Sequence, residues 1–135
     1  MSIGIGGRAK VVMQDEKTVI YEYYAYSLNE RQYENPNRVF DGIITIDKKS
    51  LVEPEIHEKL KKMPSGRKKL ITKRIPRNVN FSSRISSGQI VVENSKFCPK
   101  ILDSGIGLIA MHIIQEIYRL YQLEGAIPQY ISYYV

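Results

Sequence analysis

The sequence predicts an α+β fold: an antiparallel sheet of five to six strands with two helices packed on one face, in the order βββαββα(β). Three observations predict it. The first third of the chain holds alternating runs rich in β-branched and aromatic residues. A long run near the C-terminus repeats at helical spacing, with only a narrow polar stripe. A capping signal in the middle precedes a second helical stripe.

Residues 1–7 are glycine-rich and are expected to fray. Arg8 to Gln14 reads as a strand, with Ala9, Val11 and Met13 on one side and Arg8, Lys10, Val12 and Gln14 on the other. Asp15-Glu16-Lys17 is a polar turn, and Thr18 to Ser27 completes a hairpin. In that second strand Tyr21 and Tyr23 share a face with Val19, while Tyr24 and Tyr26 share the other. Residues 28–38 form a polar loop, long for a hairpin connection and therefore a place where binding could occur. Val39 to Asp47 is the third strand, with Phe40, Ile44 and Ile46 on one face. Gly42 on that same face signals a bulge or a close backbone approach.

Ser50 and Glu53 have capping-box spacing, and Pro54 sits in the first turn, so a helix is expected over residues 50–63. Val52, Ile56, Leu60 and Met63 make its apolar stripe, and Pro64-Ser65-Gly66 would end it. Residues 67–77 read as a strand, 77–88 as a loop and 89–93 as a short strand. The second helix is expected from about Ser104 to Glu124, stopped by Gly125 and Pro128. His112, Gln115, Glu116, Arg119 and Gln122 form its polar stripe, so most of its circumference should be buried. Residues 129–135 alternate weakly and add an edge strand.

At 135 residues the chain is read as a single domain, 1–135, with no repeat and no internal boundary. The lone Cys98 cannot form an internal disulfide, which suits a reducing cytoplasm. The start of the chain lacks the charged head and apolar run of a signal peptide. Polar residues interrupt the most apolar stretch, 106–123, so no membrane span is expected.

The charge is unevenly placed. Lys59, Lys61, Lys62, Arg67, Lys68, Lys69, Lys73, Arg74, Arg77 and Arg84 fall in a window, 59–92, that contains no acid. The whole chain carries a net charge of +6; without this window, 10 basic and 14 acidic residues remain, a net of −4. A basic stripe concentrates anionic partners. The candidate partner-binding residues are Lys62, Arg67, Lys68, Lys69, Lys73, Arg74, Arg77 and Arg84, together with Tyr24 and Tyr26 of the second strand. Solvation or internal pairing of the same charges is the plain alternative. Ten tyrosines and no tryptophan are a second oddity, since Tyr suits interfaces as well as cross-strand pairs.

Catalytic signals are weak. Gly4-Ile5-Gly6-Gly7 precedes a strand instead of following one, and Gly105-Ile106-Gly107 lacks a phosphate-loop lysine, so it reads as a close-packed helix start. His57-Glu58 has no second histidine four residues on, and nothing local activates Cys98. No cofactor, metal or catalytic set is assigned. The expected function is a small non-catalytic cytoplasmic module that docks an acidic protein surface, in an adaptor or toxin-neutralising role. The alternatives are RNA or DNA binding through residues 59–84, an enzyme of unknown type, and self-association through edge strands.

Overall fold

A computed structural model describes residues 4–101 and 104–134. Strands β1 (Ile5–Gln14) and β2 (Thr18–Ser27) form the expected hairpin, closed by Asp15 Oδ1 accepting from the amides of Lys17 and Thr18, both at 2.8 Å. Gly6 and Gly7 pair within β1, so from Ile5 onward the glycine-rich start is strand and not a frayed end; residues 1–3 lie outside the described residues. Strand β3 (Gly42–Asp47) pairs with β2, and two further strands border the sheet: β6 (Ile90–Glu93) beside β3 and β7 (Tyr130–Tyr134) beside β1. The five strands run antiparallel in the order β6-β3-β2-β1-β7.

One sheet face is apolar. Ala9, Val19, Tyr21, Tyr23, Ala25, Ile44, Ile46, Ile90 and Ile131 are buried there. Helix α2 (Leu108–Glu124) covers them with Ile109, Ala110, Ile113, Ile114 and Ile117, spaced three and four residues apart. Each such isoleucine contributes about 1.5–3 kcal/mol by leaving water. The helix ends where the sequence predicts, at Gly125 with φ +74°, whose amide donates to the Tyr121 carbonyl. A short helix α1 (Phe81–Ser86) forms inside the segment expected as a loop. Asn80 Oδ1 caps it by accepting from the Ser83 amide, and Phe81 packs edge-on against Tyr118 of α2. The class is therefore α+β, with an antiparallel sheet and two helices.

The middle of the chain departs from expectation. Residues 55–62 form strand β4 (Glu55–Lys62), not a helix, paired with β5 (Lys68–Ile75) as a separate two-stranded ribbon. The reason is arithmetic. Ile56 and Leu60 are four apart, a spacing that puts two residues on one side of a strand as readily as on one side of a helix. Pro64-Ser65-Gly66, expected to stop a helix, instead turns a hairpin: the Gly66 amide donates to Met63 O, the Met63 amide donates to Arg67 O, and Gly66 takes φ +85°. The supposed capping residues serve elsewhere. The Ser50 hydroxyl donates to Asp47 O and lies 2.5 Å from the Tyr118 hydroxyl, while Glu53 accepts from Tyr121.

Two smaller shifts have local causes. A bulge between Val11 and Met13 breaks the alternation of β1, so Met13 pairs opposite Ile20 and is 64% exposed instead of joining Ala9 on the core face. Phe40 precedes β3 and packs edge-on against Tyr24, away from the face of Ile44 and Ile46.

Burial pushes the Tyr21 and Tyr23 phenols well above their ordinary pKa. The Tyr21 hydroxyl donates to Pro128 O at 2.6 Å, and the Tyr23 hydroxyl accepts from the Ser95 amide at 2.9 Å. The Ser95 amide favours the Tyr23 phenolate, but burial outweighs it, so the fold favours neutral phenols. That stability is complete below the unfolded value of about 10 and is lost as pH rises above it. Phenolate absorbance is therefore expected to show these rings ionising later than exposed tyrosines and together with unfolding. A single transition near pH 10, with unchanged circular dichroism, would contradict this burial.

Candidate functional site

The β4–β5 ribbon stands out from the core: every residue of β4 is exposed, as is β5 from Lys68 to Lys73. Directly opposed residues share a face, so the register sorts the side chains. One face carries His57 opposite Lys73, Lys59 opposite Ile71, and Lys61 opposite Lys69. The other carries Ile56 opposite Arg74, Glu58 opposite Thr72, Leu60 opposite Leu70, and Lys62 opposite Lys68. Like charges thus face each other at Lys61/Lys69 and Lys62/Lys68, an arrangement that weakens a hairpin. The apolar side chains are left in water too, with Ile56, Leu60 and Leu70 at 54%, 61% and 53% exposure. A cleft of about 420 Å³ opens among His57, Glu58, Lys59, Ile71 and Lys73.

The base of the ribbon is tied to the body. Buried Gln122 of α2 brackets Arg77, accepting from its amide at 2.6 Å and donating to its carbonyl at 3.0 Å. The Gln122 carbonyl accepts from Arg74 Nε at 2.8 Å. Arg84 Nε donates to Ser50 O at 2.8 Å. The ten basic residues therefore divide. Lys59, Lys61, Lys62, Arg67, Lys68, Lys69 and Lys73 are exposed on the ribbon, while Arg74 and Arg84 spend hydrogen bonds on the body and Arg77 is fastened through its backbone.

Tyr24 and Tyr26 are not brought to the ribbon. They lie on the sheet face turned away from α2; Tyr24 is only 6% exposed and Tyr26 is half-buried. The register places Arg8 beside Tyr24, Gly6 beside Tyr26, and Tyr134 beside Gly6. Around these two rings the fold gathers residues that the sequence reading did not single out: Arg8, Arg38, Phe40 and Tyr134. Arg38 comes from the 28–41 connection. There buried Asn35 donates to Ala25 O at 3.0 Å and accepts from the Val39 amide at 2.8 Å. Asn35 and Arg38 hold φ of 46° and 50°, a left-handed backbone seldom seen outside glycine. The period-two spacing of Tyr130 and Tyr134 was a signal for their shared face; the long-range placement of Arg38 left none.

Cys98 is buried. Its Sγ accepts from the Ile109 amide at 3.2 Å, and burial raises the thiol pKa, the wrong direction for a nucleophile. Gly107 lets it approach: a Cβ there would stand 2.8 Å from Sγ, which is the close-packed helix start expected of that glycine. His112 stacks on Tyr133 at 4.5 Å, and His57 pairs with Glu55 at 2.8 Å. Another cleft, of about 550 Å³, is lined by Ser82, Ile85, Ser86, Ile101, Ser104 and Met111, with no acid or base among these described residues. Among the described residues, no three His, Cys, Asp or Glu side chains converge as metal ligands, and no helix is long and apolar enough to cross a membrane. No family model, curated protein or solved structure matches this chain.

Proposed function

We propose that the chain is a small non-catalytic binding module, of adaptor or toxin-neutralising type, that docks an acidic protein surface through the β4–β5 ribbon. The observation that carries this reading is the pairing of uncompensated charge with uncovered apolar surface on one ribbon. Lys61/Lys69 and Lys62/Lys68 oppose like charges, and an acidic surface would relieve both. Ile56, Leu60 and Leu70 favour a protein over a polyphosphate, because a protein partner can cover them as well as pair with the lysines. An isolated two-stranded ribbon is marginal in water, so ordering against a partner suits it. The unpaired, buried Cys98 accords with a cytoplasmic setting.

The test is affinity capture from nuclease-treated lysate, with cross-links mapped onto the ribbon. Replacing Lys61, Lys62, Lys68 and Lys69 together by Glu should weaken retention of the captured protein roughly tenfold or more. Leu60→Ser with Leu70→Ser should weaken it as well, with the lysines intact. Retention unchanged by both variants would sink the reading. Capture that disappears on nuclease treatment would put RNA or DNA on the ribbon instead.

A further inference from the structure

The sheet face opposite α2 has the composition of a second site. Four rings stand close together there: Tyr26 lies 6.3 Å from Tyr134 and 6.4 Å from Tyr24, and Phe40 meets Tyr24 edge-on at 4.8 Å. Cations are interleaved with them. The Arg38 guanidinium lies 4.0 Å from the centroid of the Tyr26 ring and 5.9 Å from that of Tyr24. The Arg8 guanidinium lies 5.7 Å from the Tyr134 centroid, with Nε donating to the Tyr134 hydroxyl at 2.5 Å. Lys10 sits 4.7 Å from the Phe40 centroid and pairs with Glu22 at 3.1 Å. Among the described residues, neither Arg8 nor Arg38 is paired with a carboxylate.

The fold spends effort to hold this arrangement. Gly6 sits under the rings, and a Cβ there would stand 2.8 Å from the Tyr134 ring and 3.0 Å from the Tyr26 hydroxyl. Arg38 keeps its left-handed backbone, and its Nη1 donates to Glu34 O and Asn35 O, which fixes the guanidinium over Tyr26. Strained backbone that positions a charged side chain is a mark of a working surface. Beside the rings, a cleft of about 330 Å³ is lined by Arg8, Lys10, Phe40, Tyr130, Ile131 and Ser132. Tyr134 and Tyr130 keep 49% and 77% of their surface in water.

We propose that this face binds single-stranded nucleic acid, with bases stacking on Tyr134 and on the Arg38 guanidinium that lies over Tyr26, and phosphates meeting Arg8. Flat rings and guanidinium planes accept any base, whereas a duplex keeps its bases stacked internally and offers no free ring face. The charge fits as well: Arg8 and Arg38 border the rings, the neighbouring Glu22 is held by Lys10, and the other carboxylates that the register puts on this face, Asp47 and Glu93, lie on β3 and β6, beyond Glu22 from the rings. The surface is separate from the ribbon, which is fastened to α2 on the other side of the sheet.

The test uses the full chain, a labelled single-stranded RNA of about 15 nucleotides and the matching duplex, at low salt where phosphate contacts are strongest. With ten tyrosines and no tryptophan, quenching of tyrosine emission reports base stacking directly. Wild-type protein should bind the single strand at least ~10-fold more tightly than the duplex, with quenching. Tyr134→Leu should weaken single-strand binding by about 5- to 100-fold, the range seen when a stacking ring is removed. Tyr134→Phe, which keeps the ring, should restore it. Lys68→Glu with Lys69→Glu should change it little. The proposal is overturned by absence of single-strand binding, by equal affinity for the duplex, or by binding that survives Tyr134→Leu and is lost with the ribbon lysines.

Discussion

Gly42→Ala is expected to destabilise the protein by about 1–3 kcal/mol, the cost of forcing an extra carbon into a filled core. Gly42 lies opposite Tyr23 across β2 and β3, and a Cβ on it would stand 2.2 Å from the Tyr23 ring. The ring has nowhere to go. It is fully buried, and its hydroxyl accepts the Ser95 amide, which ties it to the segment after β6. Chemical denaturation of both proteins measures the loss. The cause can be isolated with Tyr23→Leu as a second change. If the clash is with the ring, Gly42→Ala should cost clearly less in the Tyr23→Leu background. An equal cost in both backgrounds would place the strain in the backbone instead.

Gln122→Ala is expected to loosen the ribbon while leaving the sheet in place. The side chain is 2% exposed and makes a two-way bracket with the backbone of Arg77, the residue through which the chain leaves β5 for α1. Removing it leaves the Arg77 amide and carbonyl without this partner, at about 1–3 kcal/mol for each group that water does not reach. Limited trypsin digestion should show faster cleavage between residues 59 and 77, with the remainder of the chain cut no faster than before. Gln122→Glu makes the informative comparison. A carboxylate still accepts from the Arg77 amide but cannot donate to its carbonyl, so this variant should fall between wild type and Ala. Cleavage of the ribbon at the wild-type rate in Gln122→Ala would show that the bracket does not anchor it.

These two sites differ in how readily the sequence disclosed them. A glycine on the apolar face of a strand is a local sign of close approach, and Gly42 could be read from its own neighbours. Gln122 could not. On the helix it falls in register with His112, Gln115, Glu116 and Arg119, and periodicity assigns all five to one polar stripe. The structure buries Gln122 because a distant segment, around Arg77, crosses the end of α2 there and needs its backbone satisfied.

The same division runs through the molecule. The alternation of Thr18–Ser27, the turn at Asp15 and the stop of α2 at Gly125 rest on contacts within a few residues, and periodicity and turn chemistry carry that information. The residues of β4 were ambiguous because Ile56 and Leu60 satisfy two periods at once, and pairing with β5 across the Pro64–Gly66 turn decided for strand. The concentration of charge in 59–92 was plain in the sequence. Its division between an exposed ribbon and the anchoring roles of Arg74, Arg77 and Arg84 was not. Nor was the meeting of Arg8, Arg38, Tyr26 and Tyr134, which come from three strands and a loop. Such groupings depend on which strands pair and where connections cross, and no local periodicity encodes that. It is settled only when the whole chain buries its apolar faces and satisfies its backbone at once.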